Sequence, residues 1–250
     1  MRAFKKINSD SLIEFAKDLL HRLGEGEQVA GGRVAAAGRP AGHLLSPPLK
    51  YPTAHYSSML MRIGGQEVEA LSGAWLDVIN PATGEVLDRV PAGGREDVDA
   101  AVGAAEDASG GWAARGPRER GITLFQAASA LRAAREDLAR TLTREQGKPL
   151  REAVDEVRGA ANVLEFYASV SGGLSGDFIR LGAPGDGIVV REPLGVCGAI
   201  IPWNMPAILM AWKAGPALLA GNTLVLKPAS TTPLTDLAIA GILEKAGLPP

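Results

Sequence analysis

Cysteine is almost absent from this sequence: Cys197 is the single thiol in 250 residues. One thiol cannot build an intrachain disulfide framework, and its scarcity suits a reducing, cytoplasmic setting. Charge of one sign is also lacking. The 26 Lys and Arg residues stand against 28 Asp and Glu, for a formal net charge of −2. The one-sided basic balance that neutralises nucleic-acid phosphates is missing, so no nucleic-acid partner is expected. No uninterrupted apolar run of membrane-spanning length exists either. The uncharged stretch 194–212 has the length of a membrane span, but Gly195, Gly198, Pro202, Asn204 and Pro206 interrupt it. In lipid those breaks would strand backbone polar groups, so the stretch reads as strand, turn and helix, and no membrane partner is expected. The dinucleotide fingerprint G-x-G-x-x-G is absent too, which removes the ordinary sequence signal for a nucleotide turn. What is present is 46% hydrophobic residues, enough to fill a substantial core.

Residues 1–58 stand apart. Ser11 to Glu14 has the form of a capping box, and Leu12, Phe15, Leu19 and Leu23 recur at helical spacing before Gly24. Gly, Ala and Pro dominate to about Pro52, with no periodicity. The segment lacks the apolar core of a secretory signal, and Asp10, Glu14 and Asp18 are foreign to a mitochondrial presequence. It is read as a poorly ordered leader.

Organised sequence begins near Met59. Residues 61–68 read as a short strand with a turn. Asp77-Val-Ile leads through Asn80-Pro-Ala-Thr-Gly into a second strand at 85–90. The spacing of apolar residues predicts helices over 95–114, 117–145 and about 150–170, with Gly147-Lys148-Pro149 breaking the last two apart. Residues 177–181 and 188–192 predict a hairpin with a long loop.

From Gly195 the grammar changes. Residues 196–201 and 223–227 are continuous apolar runs of strand length, and 205–219 between them is helical. Thr232-Pro233 then opens a helix that closes at Gly247. Strand, helix, strand, helix with fully apolar strands predicts an α/β fold around a buried parallel sheet.

In such sheets ligands bind beyond the C-terminal strand ends. Two loops leave them here, Pro202-Trp203-Asn204 and Pro228-Ala229-Ser230-Thr231. If the strands are neighbours, both loops open on one crevice. Asn204 fits either a cap for the next helix or a side-chain donor to a developing oxyanion. Lys227 fits either a solvated charge or a cationic donor to a nucleotide, with Ser230 adding a hydroxyl. Cys197, inside the first strand, reads as a buried inert thiol. No metal site is expected. Composition and spacing stop there, without a reaction.

The motifs go further. Pro193-Leu-Gly-Val-Cys-Gly-Ala-Ile-Ile-Pro-Trp-Asn204, Lys213-Ala-Gly-Pro-Ala-Leu-Leu-Ala-Gly-Asn222 and Leu226-Lys-Pro-Ala-Ser-Thr-Thr-Pro233 resemble the aldehyde dehydrogenase superfamily. Asn80-Pro-Ala-Thr-Gly-Glu85 and Glu145-Gln-Gly-Lys-Pro149 are similar to its earlier motifs, in the same order. The resemblance runs over roughly residues 60–250 and leaves 1–58 outside.

The resemblance implies an aldehyde dehydrogenase-like fold, with an incomplete Rossmann-like parallel sheet, flanking helices and an oligomerisation hairpin. The arm would occupy about 175–192 and the NAD(P)-binding βαβα unit about 193–250, the whole being the N-terminal part of a domain at 59–250. It implies NAD(P)-dependent oxidation of a small-molecule aldehyde to a carboxylic acid, on an atypical nucleotide turn. Asn204 would be the oxyanion-hole donor. Ile201, Pro202 and Trp203 would line the cofactor cleft with their backbone, beside Asn204. Lys227 would contact the adenosine ribose, next to Pro228 and Ala229. Ser230 stands where many NAD-preferring members carry glutamate, so NADP is expected to be accepted alongside NAD. Met205, Leu209 and Trp212 would face the substrate funnel. Trp212 stands where members taking carboxylated semialdehydes often have arginine, which favours neutral, apolar or cationic aldehydes. The family's nucleophilic cysteine and general-base glutamate lie beyond position 250. This chain is therefore expected to lack both, to be inactive alone, and to form homo-oligomers when complete. The alternative is a non-catalytic remnant or partner subunit that binds NAD(P) or full-length homologues.

Overall fold

Residues 59–183 and 185–250 are described by a computed structural model of the chain. The expected leader at 1–58 lies outside them. Chain order begins with β1 (Met61–Ile63) and β2 (Gln66–Val68), an antiparallel pair. Gly64 and Gly65 turn between them at φ 55 and 75, the doubly left-handed turn that glycine tolerates best. A second antiparallel pair follows, β3 (Trp75–Ile79) with β4 (Val86–Pro91). Its connection is the Asn-Pro-Ala-Thr-Gly turn, where Asn80 Oδ1 accepts the Ala82 amide at 3.0 Å. Val78 and Val90 bury their side chains against Leu234.

The helical layer comprises α1 (Arg95–Ala114), α2 (Pro117–Ala133), α3 (Arg135–Gln146) and α4 (Leu150–Ser169). The single helix expected over 117–145 is thus two. Ala134, at φ −88 and ψ 5, lies outside helical geometry between them. Nothing in the local Ala/Leu/Arg/Glu composition marks that break. It comes from packing: α2 lies along α4, while α3 turns to reach both α4 and α6 (Pro233–Lys245). Gly147 ends α3 at φ 90. A short 3-10 turn, Val170–Gly173, extends the end of α4.

The arm is β5 (Asp177–Arg180) paired antiparallel with β6 (Asp186–Val189). Its second strand starts earlier than expected. Gly185, at φ 121, accepts the Leu181 amide at 3.1 Å, so Asp186 and Gly187 join the ladder and shorten the loop.

Next, β7 (Val196–Ile200) pairs parallel with β8 (Thr223–Lys227), from Val196 opposite Thr223 to Ile200 opposite Lys227. Helix α5 (Pro206–Leu219) makes the crossover, and α6 follows β8. Burial along the two strands is less complete than their apolar runs predict. Ala199 and Thr223 are buried and most neighbours are half-buried, because each strand has a single partner among the described residues. The 194–212 stretch is strand, turn and helix as its interruptions predict. Among the described residues no helix is long and apolar enough to cross a membrane.

The main core lies where α2, α4 and α5 meet. Val157, Ala160, Ala161, Leu164 and Ala168 form a stripe at helical spacing on α4. Against it α5 presents Ala207, Met210, Ala211, Ala214 and Leu218. Small residues let the two helices approach closely: a Cβ at Gly159 would lie 2.9 Å from Ile208, and one at Gly215 2.6 Å from the Tyr167 ring. That contact fixes where α5 starts, and so where β7 delivers its loop.

Candidate functional site

Both expected loops leave adjacent parallel strands, and they touch. The amide of Ile201 donates to the Lys227 carbonyl at 3.0 Å, extending the ladder by one bond past β7. Ile201 is fully buried, whereas Pro202, Trp203, Asn204 and Met205 are exposed. Leu209, one helical turn on, is half-buried, and Trp212 is exposed on the same face of α5.

Asn204 does not cap α5. Met205 holds the N-cap position, and its side chain makes no capping bond. The amide of Ala207 goes instead to Glu156 of α4, whose Oε1 accepts it at 3.0 Å. The other oxygen of Glu156 accepts from the Lys148 ammonium, in an ion pair almost wholly withdrawn from water on the carboxylate side. Lys148 reaches onward and donates to the Asn204 carbonyl at 3.0 Å, and Gln146 Nε2 donates to the same oxygen at 3.4 Å. Asn204 is therefore gripped by its backbone. Among the described residues its side-chain amide has no partner and is free to donate outward.

The second loop is arranged in the same way. Thr232 holds the N-cap position of α6, and its hydroxyl is buried without a partner among the described residues. The leading amides go to Glu145 at the end of α3: Leu234 donates to Oε2 at 2.7 Å and Thr235 to Oε1 at 2.9 Å. The Thr235 hydroxyl adds a bond of 2.5 Å to Oε1. Helices α5 and α6 both open with proline, and both have their first available N–H capped by a carboxylate from another helix. Local sequence could not reveal this, because each cap lies 51 or 89 residues away along the chain.

Burial pushes the Glu145 carboxyl up to about 7, against the downward pull of the Thr235 and Leu234 bonds and with a small upward push from Glu156. Asp236, one residue beyond Thr235, is fully buried, and neither of its carboxylate oxygens has a hydrogen-bond partner among the described residues. Burial, then the nearby Glu145 and Glu156, hold its carboxyl well above the usual carboxylate range.

A cavity of about 700 Å³ opens beside β8, α1 and α6. Lys227, Pro228, Ala229 and Ser230 line it, as does Asp236, whereas Ile201 to Asn204 do not. The two loops are tied together at the Ile201–Lys227 bond, and the cavity is lined by residues of the second. Lys227 is half-buried rather than solvated, and its ammonium donates to the Pro228 carbonyl at 3.3 Å. Ser230 is half-buried and, among the described residues, its hydroxyl is unpaired. A cation and a hydroxyl on the rim of a largely apolar cavity of this size suit the ribose and phosphate end of a nucleotide.

Cys197 is half-buried, less enclosed than expected, and desolvation raises its thiol above its ordinary value. Among the described residues no cluster of His, Cys, Asp and Glu could hold a metal ion.

Sequence reasoning missed Glu145, Lys148, Glu156 and Asp236. A usable signal existed for Glu156, a charged residue on the apolar stripe between Ala153 and Val157. Asp236 gave a misleading one, since an acid in a first turn is ordinarily a surface feature.

The pattern described as "Aldehyde dehydrogenase family" matches residues 68–250. A glutarate-semialdehyde dehydrogenase of Pseudomonas putida is 43% identical over 188 residues, 75% of this chain and 39% of that protein. The NADP(+) succinate-semialdehyde dehydrogenase of Escherichia coli K12 is 43% identical over 189 residues, again 75% and 39%. A solved structure of an E. coli NADP-dependent enzyme superposes with a TM-score of 0.75 at 42% identity, covering 77% of this chain and 40% of that one. The chain thus spans about 39% of the length of the curated relatives it matches.

Proposed function

The chain belongs to the aldehyde dehydrogenase family, and from that premise we propose that it forms the cofactor-binding and oxyanion-stabilising side of an NADP-dependent oxidation of an aldehyde to a carboxylic acid. The observation that carries this reading is the state of Asn204. Its backbone carbonyl is held by Lys148 while its side-chain amide has no partner among the described residues, three positions after Ile201, whose amide is tied to Lys227. A donor that is fixed before reaction costs little reorganisation when negative charge develops on the aldehyde oxygen. When bound, the nicotinamide cofactor supplies the hydride acceptor.

Lys227 and Ser230 would hold the adenosine end in the cavity, with Pro228 and Ala229 shaping the turn. Ile201, Pro202 and Trp203 would present backbone toward the cofactor. Serine at 230 brings no negative charge of its own against a 2′-phosphate, and NADP is the favoured form, with NAD also accepted. Met205, Leu209 and Trp212 share one side of α5 and would give the aldehyde's tail an apolar wall. The two curated relatives are named for semialdehydes that carry a carboxylate at the end away from the aldehyde. Trp212 offers such a group no ion-pair partner, and a neutral aldehyde fits better. The β5–β6 arm exposes Phe178, Ile188 and Val190, and we assign it to a homo-oligomer contact. A cytoplasmic setting agrees with the single thiol.

Titration of the chain with NADP and NAD tests the cofactor assignment. NADP should bind at least as tightly as NAD. Ser230→Glu should move the ratio toward NAD by about tenfold, the equivalent of roughly 1.4 kcal/mol. An unchanged ratio would overturn it.

A further inference from the structure

Lys148 sits at the turn between α3 and α4, in neither of the two loops that carry the expected site residues. Its ammonium makes two contacts that belong to different parts of the fold. One is the ion pair with Glu156, whose side chain is 1% exposed while that of Lys148 is 10% exposed. The other is the Asn204 carbonyl at 3.0 Å. The Glu156 oxygen not used by Lys148 accepts the Ala207 amide. Asn204 and Ala207 flank Met205 and Pro206, the residues through which the chain turns from the loop into α5. Carbonyl and amide on either side of that turn are thus tied to a single ion pair between the α3–α4 turn and α4.

We propose that Lys148 is a positioning residue that acts through the Asn204 backbone, clamping the loop so that the free side-chain amide keeps one orientation. The oxyanion role of that amide rests on the function proposed above, whereas the clamp itself is a property of the ligand-free chain. Lysine suits this role because its ammonium has three donors, of which one goes to a carboxylate and one to a carbonyl. Glu145, the other buried cap, holds α6 and provides an internal comparison, because its bonds go to Leu234 and Thr235 rather than to Asn204 or Ala207.

Backbone and side-chain ¹⁵N relaxation on the chain without ligand tests the proposal, because order parameters report mobility whether or not an amide is hydrogen-bonded. Lys148→Met should lower the order parameters of Trp203, Asn204 and Met205 from the roughly 0.85 of rigid backbone toward about 0.6, leaving Leu234 and Thr235 unchanged, and Lys148→Arg should restore most of the order. Because Lys148→Met strands the Glu156 carboxylate and can prevent folding, the double variant Lys148→Met/Glu156→Gln is the second arm. There the neutral amide still accepts from Ala207, so Ala207 should stay ordered while residues 203–205 loosen. Wild-type order parameters at 203–205 in either variant would overturn the clamp. So would an equal fall at Leu234 and Thr235, which would mean general loosening. Cofactor titration of the same proteins bears on the proposed function alone, so the two ideas can fail separately.

Discussion

The carboxylate of Glu145 sits on Thr235, accepting its amide at 2.9 Å and its hydroxyl at 2.5 Å through the same oxygen. Residues 90 positions apart are thereby joined at the point where α6 begins. The bond is made inside the protein, near the Asp236 carboxyl, which has no hydrogen bond among the described residues. Two buried acids close together in space make stability depend on pH.

Both carboxyls are raised, so the folded chain holds protons that the unfolded chain releases. Stability from this source is fully present below the ordinary value of 4.5 for glutamate. It falls as pH rises toward the folded value of about 7 for Glu145, and then levels off. Asp236 adds to the fall in the same direction, starting from 3.8. Urea unfolding across that range should give midpoints that decline with rising pH. A midpoint that climbs steadily from acid to neutral pH would contradict the assignment.

Among the described residues Asp236 has no hydrogen-bond partner in return for its burial, so removing it should help the fold. Asp236→Ala is expected to raise stability by about 1–3 kcal/mol, the usual cost of an unsatisfied buried polar group. The same change removes a second buried acid whose carboxyl is held well above the usual range, and should flatten the pH dependence. Thermal melts of the two proteins at neutral pH provide the comparison. A lower melting temperature for the variant would mean that Asp236 has a partner in solution.

Two glycines in helices should respond oppositely to alanine. At Gly215 the added methyl would lie 2.6 Å from Tyr167 Cδ2, in the packed α4–α5 contact. Overpacking costs about 1–3 kcal/mol, more than the roughly 1 kcal/mol that helix propensity returns, so Gly215→Ala should destabilise. At Gly110 of α1 a methyl meets nothing within 4 Å, and Gly110→Ala should stabilise by about 1 kcal/mol. Equal effects at the two sites would show that the helices do not meet as described.

Cys197 should not act as a nucleophile. Its thiol is raised by desolvation and lies inside β7, so little thiolate is available at neutral pH. The chain supplied with NADP and an aldehyde should form no reduced cofactor. Alkylation by iodoacetamide should be slower than for free cysteine. Aldehyde-dependent turnover abolished by Cys197→Ala would overturn this.

Much of the fold is legible in the sequence because it is encoded locally. Apolar spacing marks α1 and α4, continuous apolar runs mark β7 and β8, and Pro233 and Gly247 bound α6 within a residue or two. Adjacent strands leaving two loops on one edge follow from the βαβ order. The division of 117–145 at Ala134 is hidden, since the residues around it favour helix and only the need to contact both α4 and α6 bends the run.

The amino-acid sequence by itself determined the element order, the parallel pair, the family resemblance and the two loops on which Asn204 and Ser230 stand. Periodicity, turn chemistry and contiguous motifs are short-range properties that a chain carries before it folds. Tertiary structure alone decided what holds those loops: Glu156 and Lys148 on one, Glu145 on the other. It also set Ser230 on the cavity beside α1 and α6, and left Asp236 buried without a partner among the described residues. A helix N-terminus needs acceptors for its amides, but it does not specify from where along the chain they come. Only the packing of α3 and α4 against α5 and α6 answers that.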